Sequence, residues 1–179
     1  MKPIRILGIS GSLRSDSSTH TVLRNASTCF PASVVFTFYD SLGALPHFND
    51  SPYTPPEVAD LRKQLQEADG VLLCTPEYAF GVPGSLKNAL DWTVSTGEFV
   101  NKPLALITAA TGGQHAHAAL LLIFKALSAA LEPEATLLVP FIRAKMNAQR
   151  ELTDPATLAN IRKVASALIA TIEKSGTDQ

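Results

Sequence analysis

Hydrophobic residues along this chain occur in two patterns, and segments with one pattern alternate with segments that have the other. Short, nearly continuous apolar runs are typical of strands buried on both faces, whereas apolar residues recurring every three or four positions mark one face of a helix. These patterns predict five strands, at residues 4–9, 34–39, 71–75, 104–108 and 135–141. They also predict five helices, at residues 19–30, 57–68, 83–94, 114–131 and 155–174. The proline-rich residues 40–56 are predicted to form a loop, and Thr153 or Asp154 is expected to cap the last helix.

The alternation of apolar strands and helices predicts an α/β fold. Strands of this kind require a parallel sheet that is covered by helices on both faces, which makes a three-layer sandwich. With right-handed crossovers, five strands fit the flavodoxin-like order 2-1-3-4-5. In that order a ligand binds at the carboxyl ends of strands one, three and four. We therefore expect the functional residues in the three loops that follow those strands.

Composition narrows the functional class. A length of 179 residues predicts one domain over residues 1–179, since domains average about 150 residues. The chain is 46 % hydrophobic and 17 % charged, which excludes intrinsic disorder. With 15 basic against 16 acidic side chains, it lacks the positive excess of a nucleic-acid-binding protein. Two cysteines and no long apolar span predict a cytoplasmic protein without disulfides, a metal site or a membrane partner.

The first of the three loops, residues 8–19, is rich in glycine and hydroxyl side chains. Exposed N–H groups at the start of a helix, together with hydroxyl donors and the cation of Arg14, favour phosphate binding. A simple helix cap without a ligand is the alternative, but a cap needs only one hydroxyl. The spacing does not fit a dinucleotide fingerprint, a P-loop or a nucleophile elbow. The hydroxyls are those of Ser10, Ser12, Ser17, Ser18 and Thr19.

The second and third loops suggest a flat ligand. Residues 75–88 combine two prolines, two aromatic side chains and Gly81, which lets backbone approach a ring. Residues 109–114 are small and supply N–H donors at the start of a helix. Either loop alone is compatible with an ordinary surface turn. Together with a phosphate-binding loop they indicate a mononucleotide with a large flat base, and FMN fits better than an adenine nucleotide.

Motifs in these loops resemble the NAD(P)H-dependent FMN reductase family of flavodoxin-like proteins, which includes quinone, chromate and azo-dye reductases. The motifs are residues 11–14 with Ser17, residues 76–78, residues 82–92 and, more weakly, residues 111–113. The resemblance implies that the FMN phosphate is held by Ser10, Ser12, Arg14, Ser17 and Thr19. It implies that the isoalloxazine is wrapped by Pro76, Glu77, Tyr78, Ala79 and Phe80. The pyrimidine or ribityl side would be lined by Thr111, Gly112 and Gly113.

The chain departs from the family pattern in a few places. Relatives commonly carry Asn where Thr19 and Ala79 stand, and often a basic residue where Gln114 and His115 stand. The implied reaction is hydride transfer from NADPH or NADH to N5 of FMN, with no catalytic side chain, and onward transfer to free flavin, a quinone, an azo compound or chromate. The N–H groups of Gly112 and Gly113 are expected to stabilise negative charge on the reduced ring.

Two further expectations concern the competing function and the assembly. A non-catalytic electron carrier of flavodoxin type is the alternative, but the three loops contain few acidic residues apart from Asp16 and Glu77. The strongly apolar fourth helix and the helix that contains Trp92 are expected to form the interface of a homodimer or homotetramer. The remaining candidates for chemistry are expected to have structural roles: His47, His115, His117 and Cys74.

Overall fold

The computed structural model describes residues 3–177, which form one five-stranded sheet with helices on both faces. The strands are β1 (Ile4–Ser10), β2 (Val34–Tyr39), β3 (Gly70–Thr75), β4 (Leu104–Ala109) and β5 (Thr136–Val139). The helices are α1 (Ser18–Ser27), α2 (Pro56–Glu67), α3 (Gly84–Asp91), α4 (Gln114–Ala126) and α5 (Pro155–Thr177). Short 3₁₀ turns lie at Leu42–Ala44, Pro133–Ala135 and Ile142–Lys145.

The sheet is parallel throughout, in the order β2-β1-β3-β4-β5. This confirms the predicted flavodoxin-like topology. In the register of the central strands, Ser10 pairs with Cys74 and Thr75 pairs with Thr108. The carboxyl ends of β1, β3 and β4 therefore lie side by side, and the loops that follow them leave the sheet at one edge.

Two hydrophobic cores pack on opposite faces of the sheet. One face of β3 contributes Val71 and Leu73 to a core shared with α2, α3 and α4. The other face contributes Leu72 and Cys74 to a core shared with α1 and α5. Every residue of β3 and β4 is buried, so both faces of these strands need apolar side chains. This burial explains why their sequences show continuous rather than alternating hydrophobicity.

The fourth helix is shorter than predicted. It ends at Ala126 rather than at residue 131, and Ser128 turns the chain with a φ of 56°. The following residues run back along the sheet, where Ala130 accepts a hydrogen bond from the backbone of Leu104. Ala129 and Leu131 are packed against the cores in this extended segment. The apolar residues that the sequence pattern assigned to the end of the helix are therefore buried beside β4 instead.

Other boundaries differ by a few residues. The first helix ends at Ser27 rather than at residue 30, and the third ends at Asp91 rather than at residue 94. Strand β5 stops at Val139, because Pro140 has no N–H to donate. Of the two predicted caps for the last helix, Asp154 is the one that caps it, since its Oδ2 accepts the N–H of Thr157 at 2.8 Å. Within residues 3–177, no helix is both long and apolar enough to cross a membrane.

Candidate functional site

The three loops converge on one cleft at the carboxyl edge of the sheet. Eight of the residues predicted to bind the cofactor line this cleft: Ser12, Arg14, Ser17, Thr19, Pro76, Glu77, Tyr78 and Thr111. Five more residues complete it: Ser18, Ala109, Ala110, Ile142 and Arg143. The cleft lining thus combines hydroxyl groups, two arginine side chains and the exposed side chain of Tyr78.

The first loop is held tightly against the sheet. The N–H of Gly11 donates to the carbonyl of Cys74 at 2.8 Å, which continues the pairing of β1 with β3 beyond the strand end. A Cβ atom at position 11 would lie 2.3 Å from Oγ1 of Thr75. Only glycine permits this approach, so the loop begins at a fixed distance from β3.

Four polar side chains form a closed ring of hydrogen bonds beneath the first loop. Oγ1 of Thr19 lies 2.8 Å from Oγ of Ser17 and 3.2 Å from Oγ of Ser10. Nδ1 of His20 lies 2.9 Å from Oγ of Ser17 and 3.2 Å from Oγ of Ser10. Ser17 also caps α1, because its Oγ accepts the N–H of His20. The three hydroxyls are almost completely buried, and the ring fixes their positions.

The second loop contains a tight hairpin turn. Tyr78 and Gly81 exchange two backbone hydrogen bonds, of 3.0 and 2.9 Å, around Ala79 and Phe80. Both central residues have positive φ, as a two-residue hairpin turn of type I′ requires. The turn carries Phe80 to the surface, where it is 78 % exposed and makes an edge contact with His115. Tyr78 is also exposed.

Glu77 connects the second loop to the third. Its carboxylate accepts the N–H of Gly113 at 3.2 Å and the N–H of Ala116 at 2.9 Å, at the start of α4. The hydrogen bond from Ala116 is the main cause that holds the pKa of Glu77 below its ordinary value. A carboxylate at a helix N-terminus is favourable, because it satisfies free N–H groups and interacts with the helix dipole.

This contact corrects one expectation about the reduced ring. The N–H of Gly113 already donates to Glu77, so it does not point freely into the cleft. A carboxylate also offsets the positive end of the α4 dipole at this point. The expected stabilisation of negative charge stays a prediction for Gly112 only.

The segment after β5 forms the far wall of the cleft. The N–H of Phe141 donates to the carbonyl of Thr111 at 3.1 Å, and the N–H of Ile142 donates to the carbonyl of Ala110 at 3.2 Å. These bonds place Arg143 in the cleft lining together with Arg14.

The third loop also packs closely against β5, because a Cβ atom at Gly113 would lie 2.8 Å from Cδ1 of Leu138.

Some predicted residues contribute from outside the cleft lining. Ser10 lies in the ring beneath the first loop, Ala79 and Phe80 form the hairpin tip, and Gly112 and Gly113 lead into α4. In the motif at residues 82–92, Asn88 and Trp92 also have structural contacts. The Nδ2 of Asn88 and the Nε1 of Trp92 both donate to the carbonyl of Pro46. This part of the motif therefore anchors the loop at residues 40–56.

The sequence prediction missed His20, Ile142 and Arg143. His20 stands three residues after the capping Ser17, and that spacing alone could have marked it as a neighbour of the cap. Arg143 is 129 positions from Arg14, and no local pattern connects them. Only the backbone bonds between the segment after β5 and the third loop bring Arg143 into the cleft.

The other candidates for chemistry have structural contacts. Nδ1 of His117 lies 2.9 Å from Oγ1 of Thr108, and burial lowers the pKa of His117. Cys74 is fully buried in the core, which raises the pKa of its thiol. Among residues 3–177, no group of three or more His, Cys, Asp or Glu side chains is arranged to hold a metal ion.

Known proteins are similar to this chain in sequence. Residues 4–143 match the sequence profile of the family described as NADPH-dependent FMN reductase. NAD(P)H-dependent FMN reductase from Pseudomonas aeruginosa is 40 % identical over 114 residues, which are 61 % of each chain. NADPH:quinone oxidoreductase from Arabidopsis thaliana is 34 % identical over 185 residues, or 95 % of this chain and 93 % of that protein. Several relatives, including the Pseudomonas protein, are thus matched over only about three-fifths of their length.

The fold is shared with a flavoenzyme of known structure. The NAD(P)H:(acceptor) oxidoreductase FerB from Paracoccus denitrificans superimposes with a TM-score of 0.83 at 26 % sequence identity. The superposition covers 96 % of this chain and 98 % of FerB. The similarity therefore extends over nearly the whole length of both chains.

Proposed function

Because the chain belongs to the NADPH-dependent FMN reductase family, we propose that it binds FMN in the cleft and transfers electrons from NADPH or NADH to a small acceptor. The observation that carries this proposal is the convergence of all three predicted loops on one cleft. Residues 1–179 then act as one FMN-binding domain, with its site where the strand order reverses.

The donors in the cleft fit the phosphate of FMN. Ser17 and Thr19 line the cleft at the start of α1, Ser12 adds a hydroxyl from the preceding loop, and Arg14 adds a positive charge. The hydrogen bond from Arg150 is the main cause that lowers the pKa of Asp16, and the charge of Arg14 helps to lower it, but the ion pair of Asp16 is formed by Arg150. Hydroxyls, free N–H groups and a helix N-terminus form an anion site that needs no metal ion.

The cleft residues from the second and third loops fit a flat ring. Pro76, Glu77 and Tyr78 line the cleft from the second loop, and Thr111 lines it from the third. FMN bound there would accept a hydride from the nicotinamide and pass electrons to the acceptor. The exposed side chains of Tyr78 and Phe80 leave apolar surface at the entrance, suited to a nicotinamide or a quinone.

Two acidic side chains bear on the alternative of a flavodoxin-type carrier. Carriers surround the ring with free carboxylates, but here Glu77 accepts two backbone N–H groups. Asp16 is paired with Arg150 at 2.6 Å. Glu77 stays ionised in the cleft lining, but Asp16 is paired with Arg150 and lies outside that lining. The lining thus contains one acidic side chain rather than several, which favours the reductase.

The cellular setting and the assembly complete the proposal. A reaction that consumes NADPH or NADH suits the cytoplasm, where Cys29 and Cys74 stay as free thiols. Leu121 and Leu122 of α4 and Val94 after α3 are exposed apolar side chains. They support a homodimer or homotetramer in which a second copy covers α4.

The experiment measures flavin binding and turnover with a matched pair of variants. The purified protein should bind FMN and oxidise NADPH or NADH when a quinone is added. Ser17→Ala should weaken FMN binding about tenfold to a hundredfold, because it removes a charge-assisted hydrogen bond of about 1.5–3 kcal/mol. Riboflavin, which lacks the phosphate, should bind the wild type and the variant equally.

Asp154→Ala is the control, because it removes the cap of α5 outside the cleft. It should lower thermal stability as Ser17→Ala does, while leaving FMN affinity unchanged. A wild-type protein that binds neither FMN nor riboflavin would contradict the proposed function. FMN binding without oxidation of either nicotinamide would favour the carrier.

A further inference from the structure

The ring of hydrogen bonds beneath the first loop has too few hydrogens. Four contacts join Ser10, Ser17, Thr19 and Nδ1 of His20. Each hydroxyl supplies one hydrogen, so the three hydroxyls satisfy at most three of the four contacts. Nδ1 of a neutral imidazole that carries its proton on Nε2 is an acceptor only. In that state no hydroxyl hydrogen is spare, because each has an acceptor in the ring or, for Ser10, the carbonyl of Ser12 at 3.3 Å.

Ser17 is the member of the ring whose hydrogen matters most to a ligand. It lines the cleft, and its Oγ already accepts the backbone N–H of His20 at 3.3 Å. When Nδ1 of His20 is an acceptor, the Ser17 hydroxyl donates to it over 2.9 Å. The hydroxyl then offers the cleft an oxygen rather than a hydrogen, which is the wrong partner for an anion.

Protonation of the Nε2–H tautomer of His20 reverses this arrangement, whereas the neutral Nδ1–H tautomer donates to Ser17 without taking up a proton. A proton taken from solvent at Nδ1 makes the ring nitrogen a donor to Oγ of Ser17. Oγ of Ser17 then accepts from Nδ1 and from the backbone N–H of His20, and its own hydrogen points to Oγ1 of Thr19 at 2.8 Å or, when an anion is bound, into the cleft. The imidazolium also adds a positive charge directly behind the phosphate-binding loop, which favours an anion further.

We propose that His20 is a positioning residue for phosphate binding, whose imidazolium form turns the Ser17 hydroxyl toward the phosphate of FMN. The inference rests on the proposed FMN site and deepens it. His20 touches no ligand itself and acts through Ser17. FMN affinity therefore contains a proton-dependent part that riboflavin affinity lacks.

The surroundings of His20 make it responsive to an anion. Partial burial is the main cause that lowers its pKa, and the charge of Arg24 on the same helix adds to this. Asp40 at the end of β2 and the backbone carbonyl of Arg14 act in the opposite direction. The acidic side chain of the loop itself, Asp16, is paired with Arg150. A bound phosphate adds negative charge and raises the pKa of His20, by linkage.

The test compares FMN and riboflavin affinities of the apoprotein between about pH 5.5 and pH 8.5, from the quenching of flavin fluorescence. His20→Asn keeps an amide near the position of Nδ1 but does not titrate. The FMN phosphate itself titrates near a pKa of about 6 in both experiments. The informative quantity is therefore the FMN dissociation constant of His20→Asn divided by that of the wild type. This ratio should rise about tenfold as the pH falls, which corresponds to a shift of about one pKa unit, and the same ratio for riboflavin should not change with pH.

His47→Asn is the matched control, since His47 is an exposed histidine in the loop at residues 40–56. Its FMN profile should follow that of the wild type. The wild type alone gives a second measurement, the pKa of His20 by NMR, which FMN should raise by about one unit.

The outcomes separate the two proposals. Parallel FMN profiles for wild type and His20→Asn, or a His20 pKa that FMN leaves unchanged, would overturn the role of His20 while FMN binding stands. Absence of FMN binding to the wild type at every pH would instead overturn the proposed function.

Discussion

Two residues at the tip of the second loop have a backbone conformation that L-amino acids rarely adopt. Ala79 and Phe80 have φ values of 47° and 57°, a region that costs about 1–2 kcal/mol per residue. The hydrogen bonds between Tyr78 and Gly81 hold them in place. Asn and Gly tolerate this conformation better than Ala. The strain of the turn is thus a backbone property, independent of any contact with a ligand.

Replacing Ala79 should therefore stabilise the protein. Ala79→Gly and Ala79→Asn are each expected to raise the free energy of unfolding by about 0.5–1 kcal/mol, because they relieve the strain at positive φ. Chemical denaturation of the apoprotein measures the change.

Ala59→Gly is the control for this substitution. Ala59 is exposed within α2, where the backbone is helical. The same exchange there should lower stability by about 1 kcal/mol. A loss of stability in Ala79→Gly similar to that in Ala59→Gly would show that the turn is not strained.

The phosphate end of the site was more predictable than its surroundings. Ser17 and Thr19 stand in a local pattern of hydroxyls before a helix, and the structure places both in the cleft. The need for glycine at position 11 depends on the distance to Thr75, a residue of another strand. Arg143 reaches the cleft through contacts between distant segments. Short-range chemistry is visible in a sequence, whereas approach between distant segments depends on packing.

Glu77 links two elements, and this link should contribute to stability. Glu77→Gln replaces one acceptor oxygen with an NH₂ group, which cannot accept the N–H of Gly113 or Ala116. We expect the free energy of unfolding at pH 7 to fall by about 1–2 kcal/mol, after allowance for partial solvent screening. Denaturant titrations of the wild type and the variant measure this difference.

The difference should depend on pH in a defined direction. The folded chain lowers the pKa of Glu77, so its stabilisation is complete above the unfolded pKa of about 4.3 and is lost as the pH falls through the lower, folded pKa. The two proteins should become similar in stability in stronger acid. Glu132→Gln, at an exposed position before β5, is the control and should show little change. A pH-independent difference for Glu77→Gln would contradict the role of the carboxylate.

The elements themselves were predicted better than their ends. The central strands β3 and β4 are buried on both faces, so their sequences carry a continuous apolar signal. In α4 the same signal was misleading, because Ala129 and Leu131 are also apolar but lie in an extended segment beside the sheet. Hydrophobicity shows that a segment is buried, and the partner that buries it decides between helix and strand.

The exposed face of α4 continues the surface around the site entrance. His115, Ala118 and Leu122 lie on this face with helical spacing, and Leu122 is 69 % exposed. Phe80 contacts His115 at one end of the face. A second copy packed here would cover apolar side chains of α4 and reach the entrance of the cleft. We therefore expect assembly and access to the site to be coupled in the whole molecule.

A charged residue on this face should separate the subunits. In sedimentation velocity experiments the wild type should show at least twice the chain mass of 19.1 kDa, and Leu122→Lys should shift the population toward the monomer because it places a charge in an apolar interface. Val35→Lys is the matched control, since Val35 is 42 % exposed on β2, the strand at the edge of the sheet farthest from β5. It should leave the assembly intact. A wild type that sediments as a monomer at micromolar concentration, or a Leu122→Lys variant with unchanged mass, would place the interface elsewhere or exclude it.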